Sequence, residues 1–139
     1  MSEQALTATA KKTAIAFFDA VEAGRIEEAV SFLAQDVQVW HNIDDKIVDR
    51  NATGRTLSFL HKALADIRYE NRRLGVWAGG FSEQHFLVGK RRSDGAPVRL
   101  AAAIICNVDE HGMITRFDEY FDSKGQAEFG KGYKRQPKL

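Results

Sequence analysis

Little in this 139-residue chain points to cross-links, a membrane or a charged polymer. Its only cysteine, Cys106, lies in the apolar run LAAAIICNV, so no internal disulfide exists and the thiol reads as a small buried hydrophobe. A reducing, cytoplasmic home fits that reading. The formal net charge is +1, which removes the electrostatic argument for nucleic acid or an anionic membrane as a partner. The first residues, MSEQALTATAKK, lack a basic-then-apolar leader pattern, and no apolar run approaches membrane-spanning length. Phosphate-cradling glycine loops are missing, because Gly79-Gly80 is not followed by a helix. So are a Cys/His pair, a Gly-x-Ser-x-Gly elbow and any short metal-ligand spacing. These absences predict a protein without metal or cofactor.

What is present has the order of an α+β domain. Leu6, Ala10, Ala14, Phe17 and Val21 recur at helical spacing, with Gly24 as the stop. A second helix carries Ile26, Val30 and Leu33 and closes at Asp36. Apolar period then becomes two, with Val37, Val39 and His41 on one strand face and Gln38, Trp40 and Asn42 on the other. A polar loop leads to a third helix with Leu57, Leu60, Leu64 and Ile67. From about Arg68 the pattern is β: a strand ending at Gly79-Gly80, then EQHFLVGK, the turn Ser93-Asp94-Gly95, VRLAAAIICNV, a second turn, and ITRFDEYF. Helices followed by meandering strands predict an α+β domain with one layer of three helices on one face of a curved, mostly antiparallel sheet. One domain spans residues 1–123, and 124–139 read as a loose tail in which Phe129 and Tyr133 can dock.

Such a sheet leaves a concavity. The alanines at 101–103 supply little volume on either strand face, which admits close helix packing or leaves room for a ligand. Four ionisable residues sit in or beside apolar stripes. Glu119 shares a face with Phe117 and Phe121, where desolvation favours the neutral acid and suits acid/base work near neutrality. His41 follows Val37 and Val39 inward. His85 alternates with Leu87, but Phe86 and Val88 make the opposite face equally apolar, so its direction stays open. Asp19 lies at the edge of the first helix's apolar stripe, where a solvated charge is the ordinary reading.

The segment FFDAVEAGRIEEAVSFLAQDVQVWHN and the closing DEHGMITRFDEYFD resemble nuclear transport factor 2-like proteins over about residues 10 to 123, a resemblance that implies a strongly curved sheet and a cone-shaped α+β barrel. Within that superfamily the chain resembles SnoaL-like polyketide cyclases: His41-Asn42 matches their His-Asn, and Glu119 falls on their acid/base position. EQHFLVG is similar to a strand of scytalone dehydratase. That similarity implies His85 as a catalytic histidine pointing inward, partnered by Asp19. The layout of steroid Δ-isomerase is shared, but Phe17 and Ala101 stand at its oxyanion-donor positions, so that chemistry is not implied.

The resulting expectation is a cofactor-independent lyase or isomerase acting on a small apolar, cyclic compound, with His85 as base, Asp19 orienting it, and Glu119 and His41 assisting. Phe17, Ala101, Ala103 and Phe117 are expected to line the cavity, with Trp40, Asn42 and Phe121 completing the substrate contacts. The alternatives are a cyclase driven by Glu119 and a noncatalytic ligand-binding module. A homodimer through the outer sheet face, anchored by Trp40 and Tyr120, is also expected.

Overall fold

The computed structural model describes residues 1–132. Helix α1 (Glu3–Ala23) opens where the Ser2 hydroxyl accepts a hydrogen bond from the Ala5 amide, and it stops at Gly24, whose φ of 78° belongs to the left-handed region. Short α2 (Ile26–Ser31) leads directly into β1 (Leu33–His41), then β2 (Lys46–Val48), α3 (Arg50–Ala63) and β3 (Leu64–Trp77). The remaining elements are β4 (Gly80–Arg91), β5 (Pro97–Val108), β6 (Ile114–Phe121) and α4 (Ser123–Phe129).

The sheet order is β2-β1-β6-β5-β4-β3, antiparallel throughout except for the parallel β1–β6 pair. It ends on β2 and β3 and does not close into a barrel. The helices pack on its concave face, so the α+β reading describes the molecule. No helix among the described residues is long and apolar enough to cross a membrane.

Three boundaries differ from the sequence pattern, each because sheet pairing overrides the local pattern. Leu33, expected on the second helix, begins β1 opposite Ile114, and the Ile114 amide already bonds to the Phe32 carbonyl. Leu64 and Ile67, expected on the third helix, belong to β3, where Leu64 pairs with Arg91. Residues 46–48 of the expected loop pair with β1.

The expected loose tail begins as a helix. Asp122 caps α4 by accepting from the Lys124 and Gly125 amides, and Phe129 is buried against Leu64, Leu87 and Leu100. Arg91 ties this helix down through the Glu128 carboxylate at 2.8 Å and also grips Asp94, whose carboxyl is held down to about 2 by that guanidinium. Tyr133 lies outside the described residues.

Strand β3 bends twice, and each bend has a cause. Register against β4 shifts between Ala65 and Arg68 and again between Glu70 and Arg73. Within these bulges Asp66 and Asn71 each take φ of 56°, the left-handed region that short polar residues tolerate best after glycine. The second bulge inverts the alternation along the strand and turns Arg72 toward the helices.

Two apolar clusters result. One joins α1 to the sheet through Phe17, Phe18, Val21, Phe81 and Ile104; the other lies under α3 and α4. Tyr69 and Phe121 pack against both. The candidate site lies at this junction.

Candidate active site

A cavity of about 140 Å³ opens between the clusters. Leu57, Leu60 and Ala63 of α3 form one wall, Leu87, Leu100 and Ala102 of the sheet another, and Phe129 of α4 a third. Into this apolar space project Tyr69, His85, Glu119 and His41.

Cross-strand register explains why these groups meet. Glu83 lies opposite Ile104, Ile104 opposite Glu119, and Glu119 opposite His41, so these four residues form one row across the sheet. The next row runs His85, Ala102, Phe121. Strands β4 and β6 are two spacings apart, about 10 Å, and only the Ala102 methyl stands between His85 and Phe121 in that row. A larger side chain at 102 would project into the space.

The two rows together hold two histidine–carboxylate pairs. In the first, His85 Nδ1 donates to the Glu83 Oε1 atom in a very short contact; the residues are 5% and 1% exposed. This bond places the ring proton on Nδ1 and leaves the Nε2 lone pair free to act as a base. Arg72 Nε lies 3.4 Å from the other Glu83 oxygen, and its Nη1 bonds to Asp19 at 2.8 Å. The buried Glu83 carboxylate thus has a guanidinium for a counter-charge, without which burial would be costly.

In the second pair, His41 Nε2 stands 3.4 Å from Glu119 Oε1. His41 is 6% exposed, and its Nδ1 has no partner among the described residues. Burial alone would lower the imidazole's pKa, but Glu119 outweighs it and raises the value above the ordinary 6.5. His41 therefore holds its proton to higher pH than a free imidazole does.

The expected site residues sort as follows. His41, His85, Glu119 and Phe121 reach the cavity together. Asp19 does not touch His85; it reaches the histidine only through Arg72 and Glu83. The direct Asp19–His85 pairing is therefore corrected to Glu83–His85. Ala101 and Ala103 face the outer groove beside Tyr120 and Phe86, because strand alternation puts Ala102 inside. Phe17 and Phe117 touch each other edge to face in the core beside the cavity rather than on its wall. Trp40 is on the outer face, bonded to Asp45 and edge-on to Tyr120. Asn42 exchanges hydrogen bonds with the backbone of Phe121 and so fastens β1 to β6 rather than binding a ligand.

Sequence reasoning missed Glu83, Arg72 and Tyr69. Glu83 left a readable signal, since it stands two residues before His85 and therefore on the same strand face. Arg72 and Tyr69 left none, because the bulge at Asn71 lies between them. Cys106 is buried, and burial pushes its thiol pKa well above the ordinary value, so it is not a nucleophile. Among the described residues no group of three or more His, Cys, Asp or Glu side chains is placed to hold a metal ion.

A family model for the SnoaL-like domain matches residues 14–117. The chain belongs to the SnoaL-like domain family. Solved structures resemble this SnoaL-like chain closely in shape and distantly in sequence. A candidate polyketide cyclase from Xanthomonas campestris is 16% identical with a TM-score of 0.77, over 91% of this chain and 99% of that one. A candidate isomerase from Bacillus subtilis is 13% identical with a TM-score of 0.79, over 94% and 99%. An epoxide hydrolase of the LEH-like type from M. tuberculosis is 17% identical with a TM-score of 0.69, over 88% and 90%. At these identities the likeness establishes the fold alone. No curated protein sequence matches the SnoaL-like chain significantly.

Proposed function

We propose that this SnoaL-like protein is a cofactor-independent isomerase or lyase that moves a proton on a small, apolar, one-ring compound. The observation that carries this reading is the opening of two histidine–carboxylate pairs, one in direct contact and one 3.4 Å apart, onto one apolar cavity. His85, with its proton held on Nδ1 by Glu83, offers Nε2 as the base. His41, whose proton Glu119 helps to hold, offers it as the acid.

The size of the cavity supports a single ring. An apolar hole of about 150 Å³ in a protein core takes up benzene, and the 140 Å³ here is comparable. In the first step a C–H bond next to an electron-withdrawing group breaks, its proton goes to His85 Nε2, and its electron pair spreads into that group. In the second, His41 protonates another carbon, completing an isomerisation, or protonates a departing hydroxyl, which leaves as water. The aliphatic walls lower the local polarity, which strengthens both charge interactions.

Cyclohex-3-enone is a suitable probe, because its conversion to the conjugated ketone requires one proton removal and one return. Turnover by wild type is expected, with a loss of about 10²–10⁴-fold in His85→Asn, the usual worth of a positioned base. Activity should fall as pH rises through the raised pKa of His41, above 6.5. In Glu119→Gln that limb should move to lower pH, because the lowering effect of burial is then opposed only by the charge of Asp44. Equal solvent-deuterium uptake by wild type and His85→Asn would reject the base assignment.

A second reading, ring closure driven by Glu119, draws on the same carboxylate lining the cavity. It requires the loss of turnover to follow Glu119→Gln rather than His85→Asn.

For assembly we propose a homodimer through the outer sheet face. Ile47, Ile105 and Tyr120 are exposed there, with Trp40 set against Tyr120. Light scattering at micromolar concentration should give twice the chain mass in wild type and a smaller mass for Tyr120→Asp; a monomeric wild type would refute it.

A further inference from the structure

Tyr69 is the cavity group that the two proton-transferring pairs leave unused. It enters from β3, where it pairs with Leu87, which also lines the cavity. Its ring lies against His85 at 4.1 Å between centroids and 32° between planes, while Phe18 meets it edge-on at 5.7 Å. The Tyr69 amide bonds to the Glu22 carboxylate at 2.7 Å, which ties the backbone at this position to α1. Ring and backbone are therefore set before any ligand arrives. The half-buried Tyr69 lines the cavity, and among the described residues its phenolic oxygen has no hydrogen-bond partner.

We infer that Tyr69 is a catalytic residue, donating a hydrogen bond to an oxygen of the substrate on which charge gathers as His85 takes the proton. This assignment rests on the proton-transfer reading above and narrows its substrate class to ring ketones and other cyclic carbonyl compounds. When the C–H bond breaks, its electron pair forms the enolate C=C bond and the carbonyl π pair moves to oxygen. The Tyr69 O–H bond stays intact and points its hydrogen at that oxygen; the substrate proton rests on His85 Nε2. A preorganised donor aimed at developing negative charge acts where little water competes.

Other cavity groups are less suited. The Thr56 hydroxyl lies on the wall but spends its proton on the Ala52 carbonyl, one turn back in α3. His85 spends its Nδ1 proton on Glu83. Gln126 belongs to α4, on the wall with Phe129, while Tyr69 lies directly beside the base. Burial, then Glu119 and Glu83, push the Tyr69 hydroxyl well above its ordinary pKa of 10, so it serves as a donor and not as a second base.

Cyclohexanone and methylenecyclohexane test this, since they share a shape and differ in having an oxygen. Tyr69→Phe should weaken cyclohexanone binding roughly three- to tenfold, the worth of one neutral hydrogen bond, and leave methylenecyclohexane unchanged. Isomerisation of cyclohex-3-enone by the same variant should fall in kcat by about 10²–10³-fold, with a smaller change in KM. Equal losses for both probes, or none, would overturn the inference whether or not the protein turns anything over. Carbonyl-labelled cyclohexanone gives a readout that needs no variant: its ¹³C resonance should move downfield on binding wild type, relative to the ketone in hydrocarbon solvent. A bound resonance at the hydrocarbon position would overturn the assignment, as would failure of both probes to bind. Retained turnover of cyclohex-3-enone in Tyr69→Phe with unchanged ketone affinity would do the same while leaving the proton-transfer reading intact.

Discussion

Glu83→Gln is expected to lower turnover by about 10²–10⁴-fold, whereas Asp19→Asn should cost far less. The carboxylate at 83 has one chemical task on the His85 side, to accept the Nδ1 proton and so keep Nε2 unprotonated toward the cavity. A glutamine of the same shape offers an amide N–H as readily as a carbonyl, and an amide N–H would pair with a bare Nδ1. The ring proton then moves to Nε2, and the base is lost although nothing else has shifted. The same carboxylate-to-amide exchange beside a catalytic histidine in the serine-hydrolase triad costs about 10⁴-fold for this reason. Asp19 is half exposed and reaches His85 only through Arg72 and Glu83. Its neutralisation weakens the hold on Arg72 in a place where solvent screens the charge. Nitrogen-15 NMR of His85 reports the tautomer directly, and kinetics on cyclohex-3-enone report the consequence. A Glu83→Gln protein with wild-type turnover, or an Asp19→Asn protein with the larger loss, would remove Glu83 from this role.

Ala102→Leu should abolish binding of any ring-sized probe and leave the fold intact. Ala102 is the small residue between His85 and Phe121 in the floor of a 140 Å³ space. A leucine there directs its branch into that space and occupies much of what a ring would fill. Because the volume is already empty, the added carbons gain burial at about 0.8 kcal/mol per methylene. Overpacking of a filled core would instead cost 1–3 kcal/mol. Stability in urea should therefore hold or rise by about 1–2 kcal/mol, by the same methylene scale, while affinity for cyclohexanone falls below detection. Ala101→Leu is the matched control: its side chain emerges on the outer groove, so ring binding should persist. Undiminished ring binding in Ala102→Leu, or the same loss in Ala101→Leu, would mean that the ligand site lies elsewhere.

Much of this protein is legible before any coordinates. Periods of 3.6 and then two, with Gly24 and the turn at residues 93–95, are enough for helices followed by a meandering sheet, because side-chain burial must follow backbone period. The same alternation turned His41 and Glu119 inward, and both face the cavity. Resemblance supplied the inward direction of His85, which its two equally apolar strand faces left open.

Tertiary structure alone decided the rest, and the reason is parity and partnership. Three consecutive alanines look alike in sequence, and only the pairing of β5 with its neighbours puts Ala102 inside and Ala101 and Ala103 outside. A single left-handed residue at Asn71 inverts the alternation of β3, so Arg72 turns toward Glu83 where an unbroken strand would have turned Arg73. A charge finds its partner through space: Asp19 is drawn to the guanidinium that this bulge delivers, leaving His85 to the carboxylate on its own strand face. Sequence period sets which residues are buried, whereas bulges and register set which buried groups touch, and the chemistry of the site depends on the second.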